Sequence, residues 1–168
     1  VLVIAPFFVS FILRTVAWRQ ILADEGPVVA VLRSVGMVEP TAGVYPSAFA
    51  VIMGLTYNFM PFMALPIYTS LERVDVRLIE AAGDLYAKPF TGFRKVTWPL
   101  SLPGVVAGTL LTFIPAAGDY VNAALLGRPS NTMIGNRIEY TFLSVNDYPT
   151  AAVLSFILMA TILVLVLT

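Results

Sequence analysis

Tyr148-Pro149-Thr150-Ala151-Ala152-Val153-Leu154-Ser155-Phe156-Ile157-Leu158-Met159-Ala160-Thr161-Ile162-Leu163-Val164-Leu165-Val166-Leu167-Thr168 runs for twenty-one residues without a charged side chain. A helix needs about 20 mainly apolar residues to cross the hydrocarbon core of a bilayer. Two more uncharged runs are long enough, one between Pro40 and Leu71 and one between Val96 and Gly118. A fourth apolar run, Val1 to Ala23, carries Arg14 and Arg19 in its second half. Buried helices of water-soluble proteins average only about 11–12 residues, too short to explain these runs. The pattern predicts four spans, near 1–22, 47–70, 102–126 and 148–168.

Composition agrees. Apolar residues make up 58% of the chain and charged residues 12%, and the mean hydropathy is +0.86. A soluble domain has about 25% charged residues, so this chain lacks the charge for an ordinary water-facing surface. It has no His and no Cys. Imidazole and thiolate metal sites, cysteine nucleophiles and Ser-His-Asp chemistry are therefore excluded within it. The formal net charge of zero gives no electrostatic case for nucleic-acid binding. The chain opens and closes inside apolar runs, which leads us to expect a piece of a longer protein with parts missing at both ends.

Basic residues orient the spans. The 72–98 loop holds Arg73, Arg77, Lys88, Arg94 and Lys95. The 23–46 connection holds Arg33, and the 127–147 connection holds Arg128 and Arg137. Basic loops stay on the cytoplasmic side, so 72–98 is expected inside and the other two outside.

Local signals fill in the rest. Arg14 and Trp18 suit the end of a first span, Arg14 as a snorkelling interface anchor. Short helices are predicted at 28–35 and 132–142. Pro61 and Pro66 predict kinks in the second span, which favours a helix packed inside a bundle. In the 72–98 loop Asp75 is an N-cap candidate for a helix over 76–87, and Pro89 ends it and starts another. Pro99 and Pro103 then punctuate the start of the third span. Gly104 and Gly108 have the spacing that lets helices approach closely. Asp119 is the one acidic side chain expected within a span.

Glu80-Ala81-Ala82 in this loop, followed by Val96-Thr97-Trp98-Pro99, resembles the EAA loop of ABC importer permeases. That pattern is Glu-Ala-Ala, three residues, Gly, nine residues, then Ile-x-Leu-Pro. The spacing is kept here, with Tyr86 at the Gly position and Trp98 at the Leu position. Other segments resemble the spermidine/putrescine-type branch: Pro6-Phe7-Phe8, Ser10-Phe11 to Trp18, Leu65-Pro66-Ile67-Tyr68, Ser70-Leu71-Glu72-Arg73, Phe113-Ile114-Pro115, Leu125-Leu126-Gly127 and Met133-Ile134-Gly135-Asn136. The likeness covers essentially all 168 residues.

The resemblance implies an all-α polytopic transmembrane bundle of the type I ABC importer permease kind, a partial transmembrane domain over 1–168 with about four spans. It implies a multi-pass protein of the bacterial inner membrane, moving a small cationic solute such as a polyamine by alternating access. Its implied partners are cytoplasmic ATPase subunits, a second permease subunit (identical or related), an extracytoplasmic substrate-binding protein and the bilayer. No cofactor is expected on this chain. The 72–98 loop would be the coupling element, with Arg77, Ile79, Glu80, Ala81, Ala82, Gly83, Asp84, Tyr86 and Pro99 as its docking residues. Helical spacing puts Arg77, Glu80, Asp84 and Lys88 on one face and Ile79, Gly83 and Tyr86 on another. Tyr cannot freely make the tight turn that a Gly would allow there.

The chain is not expected to be an enzyme. A phosphate-binding loop needs Gly-Lys-Ser/Thr, but Lys88 follows Ala87 and Lys95 follows Arg94. ATP would be hydrolysed by a separate subunit. Asp119 is a candidate for the substrate path, with Tyr120, Asn122, Tyr57 and Asn58 around it, because a carboxylate among aromatics suits an ammonium. It could equally be hydrated at the outer interface, or pair with Arg14. Alternative cargoes on the same machinery are ferric iron, an opine or an aminophosphonate. An ATP-independent channel or secondary transporter is the rival of a different class.

Overall fold

The computed structural model describes residues 5–37 and 43–167. The first and last residues of the predicted outer spans, and Glu39 and Pro40 of the first connection, lie outside them. Among the described residues the chain is all helical. A 3₁₀ turn, Ala5–Phe8, precedes nine α-helices. These are α1 (Phe11–Ile21), α2 (Pro27–Ser34), α3 (Ala48–Glu72), α4 (Val76–Asp84), α5 (Pro89–Gly92), α6 (Trp98–Ala117), α7 (Val121–Leu126), α8 (Ile134–Glu139) and α9 (Tyr148–Leu167). Two π-helical turns, Phe93–Thr97 and Tyr140–Ser144, sit before α6 and after α8.

Among the described residues three helices are long and apolar enough to cross a membrane: Ala48–Glu72, Pro89–Ala117 and Tyr148–Leu167. At 1.5 Å per residue they are about 37, 43 and 30 Å long, against a hydrocarbon core of about 30 Å. Their surfaces fit that solvent. Among the described residues of α9 only Ala151 is buried, while Val153, Phe156, Ile157 and Leu163 are more than half exposed. Water would penalise so large an apolar face; lipid tails do not.

The first apolar run differs from the expectation of one continuous span. The chain leaves helical geometry at Val9 and Ser10, where Ser10 has φ −52° and ψ 137°. The helix that follows, α1, has 11 residues and is about 16 Å long. The third span also differs. It begins earlier, at Pro89, and it stops earlier, at Ala117. Pro99 and Pro103 do not break it. A proline ring collides with the carbonyl four residues back, and for Pro99 that is Lys95, inside the π turn. The wider π geometry relieves the collision and lets the helix run on. α3 likewise remains helical through Pro61 and Pro66.

The described residues form two compact units. One comprises those of Val1–Phe59 with Ile114–Thr168, the other is Met60–Phe113. In the first, Leu22, Ala50, Val51, Ala123 and Leu126 make a buried core, with Trp18 and Tyr45 packed against it. Gly54 of α3 lies close against the Leu126 and Asn122 side chains of α7, whose ends would have to shift to admit a Cβ there. In the second unit Gly104 and Gly108 of α6 meet Pro66, Ser70 and Met63 of α3. The small-residue spacing seen in the sequence is thus used for packing within the chain.

Candidate functional site: an exposed helical loop and a buried polar cluster

The loop at 72–98 is built by its own short-range signals. The Asp75 carboxylate accepts the Arg77 backbone N–H at 2.9 Å and caps α4, as its position before Val76 suggests. Pro89 occupies the first turn of α5. The end of α4 is not made by Pro89, however. The Tyr86 N–H donates to the Gly83 carbonyl at 2.9 Å and the Ala87 N–H to the Ala82 carbonyl at 3.0 Å. This pair of bonds is the Schellman termination, and it requires a left-handed residue between them. Tyr86 is that residue, with φ 57°. A side chain in this region costs about 1–2 kcal/mol that glycine avoids. The position that the motif gives to Gly is in this chain a left-handed helix stop, and Tyr86 takes that geometry.

α4 has no buried residue. Arg77, Ile79, Glu80, Ala81, Gly83, Asp84 and Tyr86 are exposed and Ala82 is half-buried; Pro99, in α6, is also exposed. Lys88 does not continue the charged face, because α4 ends at Asp84 and Lys88 stands beyond the turn. Tyr86 too lies past the helix end rather than on its apolar face. No ion pair forms in this loop among the described residues. Phe93 and Trp98 pack ring against ring at 6.4 Å between centroids, beside the π turn.

The second group lies in the other unit. α6 stops at Ala117, and Asp119 sits in a non-helical break before α7. Asp119 is thus at a helix break and not within a span. Its Oδ1 accepts the Asn122 backbone N–H at 2.8 Å and caps α7; its Oδ2 accepts Asn122 Nδ2 at 3.1 Å. Asn122 Oδ1 in turn accepts from Asn58 Nδ2 at 3.1 Å. Asn58 Nδ2 also donates to Thr15 Oγ1 at 3.1 Å. The Thr15 hydroxyl has the Phe11 carbonyl at 3.1 Å and Asn122 Oδ1 at 3.4 Å as acceptors for its one proton. Thr15 and Asn122 are fully buried, Asn58 almost so, and Asp119 is 9% exposed.

Of the residues singled out for a substrate path, Asp119, Asn122 and Asn58 therefore meet in one buried cluster. Tyr57 is instead turned to Trp18, with ring centroids 5.5 Å apart, and Tyr120 is nearly half exposed. Asn58 Oδ1 is buried without a hydrogen-bond partner among the described residues. Sequence reading missed Thr15, and it missed the support beneath the break. Asn136 Nδ2 donates to the Tyr120 carbonyl at 2.8 Å, and Gly135 lets α8 close onto Gly118. The sequence signals for these contacts are a polar Thr15 inside an apolar run and the pair Gly135-Asn136.

Arg14 does not snorkel. It is 8% exposed, with its guanidinium 5.5 Å from the Phe7 ring centroid and 5.8 Å from that of Phe11. It forms no ion pair with Asp119, and its Nε and Nη1 have no hydrogen-bond partner among the described residues.

The family described as "Binding-protein-dependent transport system inner membrane component" matches residues 1–168. The chain belongs to this family. This inner membrane component is 36% identical over 157 residues to the spermidine/putrescine transport system permease protein PotB of Escherichia coli (strain K12), covering 94% of the chain and 57% of that protein. It is 32% identical over 167 residues to the inner membrane ABC transporter permease protein YdcU of the same organism, covering 92% and 53%. PotC, another spermidine/putrescine permease protein of that organism, is 36% identical over 108 residues, covering 64% and 40%. The chain spans about half the length of the curated relatives it matches over most of its length. The resemblance drawn from Glu80-Ala81-Ala82 and its flanks is borne out, as is the all-α multi-pass inner-membrane architecture.

Proposed function

We propose that this chain is the transmembrane part of a permease subunit in an ATP-driven importer whose cargo is a small polycation of the polyamine class. The observation that carries the reading is the 72–98 loop. It presents a capped helix without a buried residue, bearing Glu80-Ala81-Ala82 between two membrane-capable helices, in the most basic connection of the chain. Such a helix has no internal reason to exist in isolation, since nine residues are too few to be stable alone. A groove on a cytoplasmic ATPase would supply the missing contacts. Arg77, Ile79, Glu80, Ala81, Ala82, Gly83, Asp84 and Tyr86 form the docking surface, and Pro99 fixes the helix behind it. ATP is hydrolysed by that separate subunit, and a second permease subunit and an extracytoplasmic binding protein complete the machine.

The cargo class is supported by the named activity of PotB and PotC and by the cluster at the α6–α7 break. Asp119 brings one carboxylate to a buried polar cluster and forms no ion pair among the described residues. A passing ammonium can balance that charge, with Asn122 and Asn58 beside it.

The test uses the full-length protein with its partner subunits in liposomes, measuring ATP-dependent uptake of radiolabelled spermidine. Glu80→Arg should lower uptake by about tenfold or more while the complex stays inserted, because it reverses a charge in the docking groove. Unchanged uptake would remove the coupling assignment, and uptake without ATP would move the protein to the channel or secondary-transporter class. In the same assay Asp119→Ala should raise the half-saturating spermidine concentration; unchanged rate and affinity would remove Asp119 from the path.

A further inference from the structure

Tyr86 holds a left-handed backbone position that costs a side chain more than glycine, and its own side chain makes no hydrogen bond or ring contact among the described residues. Its side chain is 97% exposed. Tyr86 forms an apolar ridge with its neighbour Leu85, 81% exposed. Both line a groove of about 550 Å³ whose charged lining residues are Lys88 and Lys95, with no acidic residue. Costly backbone conformations persist where the contact they present is used.

We propose that Tyr86 is the residue by which this permease selects its own ATPase subunit. Its ring enters an apolar pocket on that subunit, and acidic groups at the pocket rim meet Lys88 and Lys95. This rests on the reading of 72–98 as the coupling loop and adds to it a contact that the family's glycine cannot make. Tyrosine suits the task because its ring carries a large apolar area on few rotatable bonds and its hydroxyl reaches a polar rim. The Schellman turn fixes the Cα–Cβ direction, so the ring is presented at a set place, as recognition by a shaped pocket requires. A fluid lipid surface needs no such placement, which favours a protein as the occupant.

The experiment uses the full-length permease with its partner permease in nanodiscs, titrated with the purified ATPase subunit. Tyr86→Gly should weaken ATPase binding by about tenfold, the loss typical of a central tyrosine. In the absence of ATPase the same variant should slow amide hydrogen exchange at Leu85–Ala87, because the strain is relieved. Tyr86→Phe should restore binding to within about threefold of wild type, since the ring supplies most of the contact. A Tyr86→Gly variant that binds as tightly as wild type overturns the proposal alone. Wild type that does not bind the ATPase overturns the coupling-loop reading and this proposal with it. A Tyr86→Trp reporter whose emission shifts on reconstitution in phosphatidylglycerol-containing nanodiscs, and does not respond to ATPase, places the ridge on lipid and also overturns it.

Discussion

Gly104→Leu should leave little folded protein in the membrane. A Cβ at this position alone would lie 2.6 Å from the Pro66 carbonyl oxygen and 3.1 Å from Ile67 Cα, and would also strike Ser70 Cβ. Two of those three are backbone atoms of α3, which cannot swing aside as a side chain can. Ser70 Oγ donates to the Leu100 carbonyl at 3.3 Å across the same contact, so separating the helices also loses that bond. Overpacking a tight site costs about 1–3 kcal/mol, and the whole isobutyl group against fixed backbone belongs at or above the top of that range. Thermal unfolding of the full-length protein in detergent should show the loss, and Gly104→Ala should show a smaller one. Val106→Leu, on an exposed face of the same helix, should change stability by no more than about 0.5 kcal/mol. Equal midpoints for Gly104→Leu and Val106→Leu would show that α6 does not pack at Gly104.

Asn122→Leu should destabilise by about 3 kcal/mol. The volume is nearly conserved, so the effect isolates hydrogen bonding. Asp119 Oδ2 would lose its partner, and the Asn58 amide would keep only the Thr15 hydroxyl. The Asp119 Oδ1 bond to the backbone of residue 122 would survive, so the cap on α7 should remain. Buried polar groups left without partners cost more than the bonds were worth. Hence Asn58→Leu combined with Asn122→Leu should cost less than the sum of the two single changes. A double-mutant cycle read by denaturant unfolding would measure that coupling. Strict additivity would mean that the two amides do not bond.

The two clusters differ in how far they could be read ahead of the structure. Spans announce themselves because a lipid-facing helix must be apolar along its whole length, whatever its neighbours do. The uncharged runs at 47–70 and 148–168 were accordingly placed within a few residues of α3 and α9. The α4 cap at Asp75 and the proline start of α5 were legible for a similar reason, since each bond spans only two or three residues. The end of the third span was not. Hydropathy continues through Val121–Leu126, but the chain breaks at Gly118–Tyr120 because Asp119 spends its carboxylate on Asn122, and Asn136 and Gly135 secure the break from α8. Those partners lie up to seventeen residues away, and no local pattern encodes them.

Tyr86 shows the same division inside a single turn. The spacing from Glu80 placed it at the glycine of the motif, and chemistry warned that a tyrosine there is costly. Only the folded turn shows that it takes the left-handed geometry and turns its ring to the outside. The sequence by itself determined the membrane class, two of the long helices within a few residues, the basic loop and the family, since these depend on solvent and short-range bonds. The tertiary structure decided where Arg14 goes, that Thr15 joins Asn58 and Asn122, and that Gly104 and Gly108 face α3 within their own chain. Each of those depends on which surfaces meet, and that is fixed only when distant segments pack.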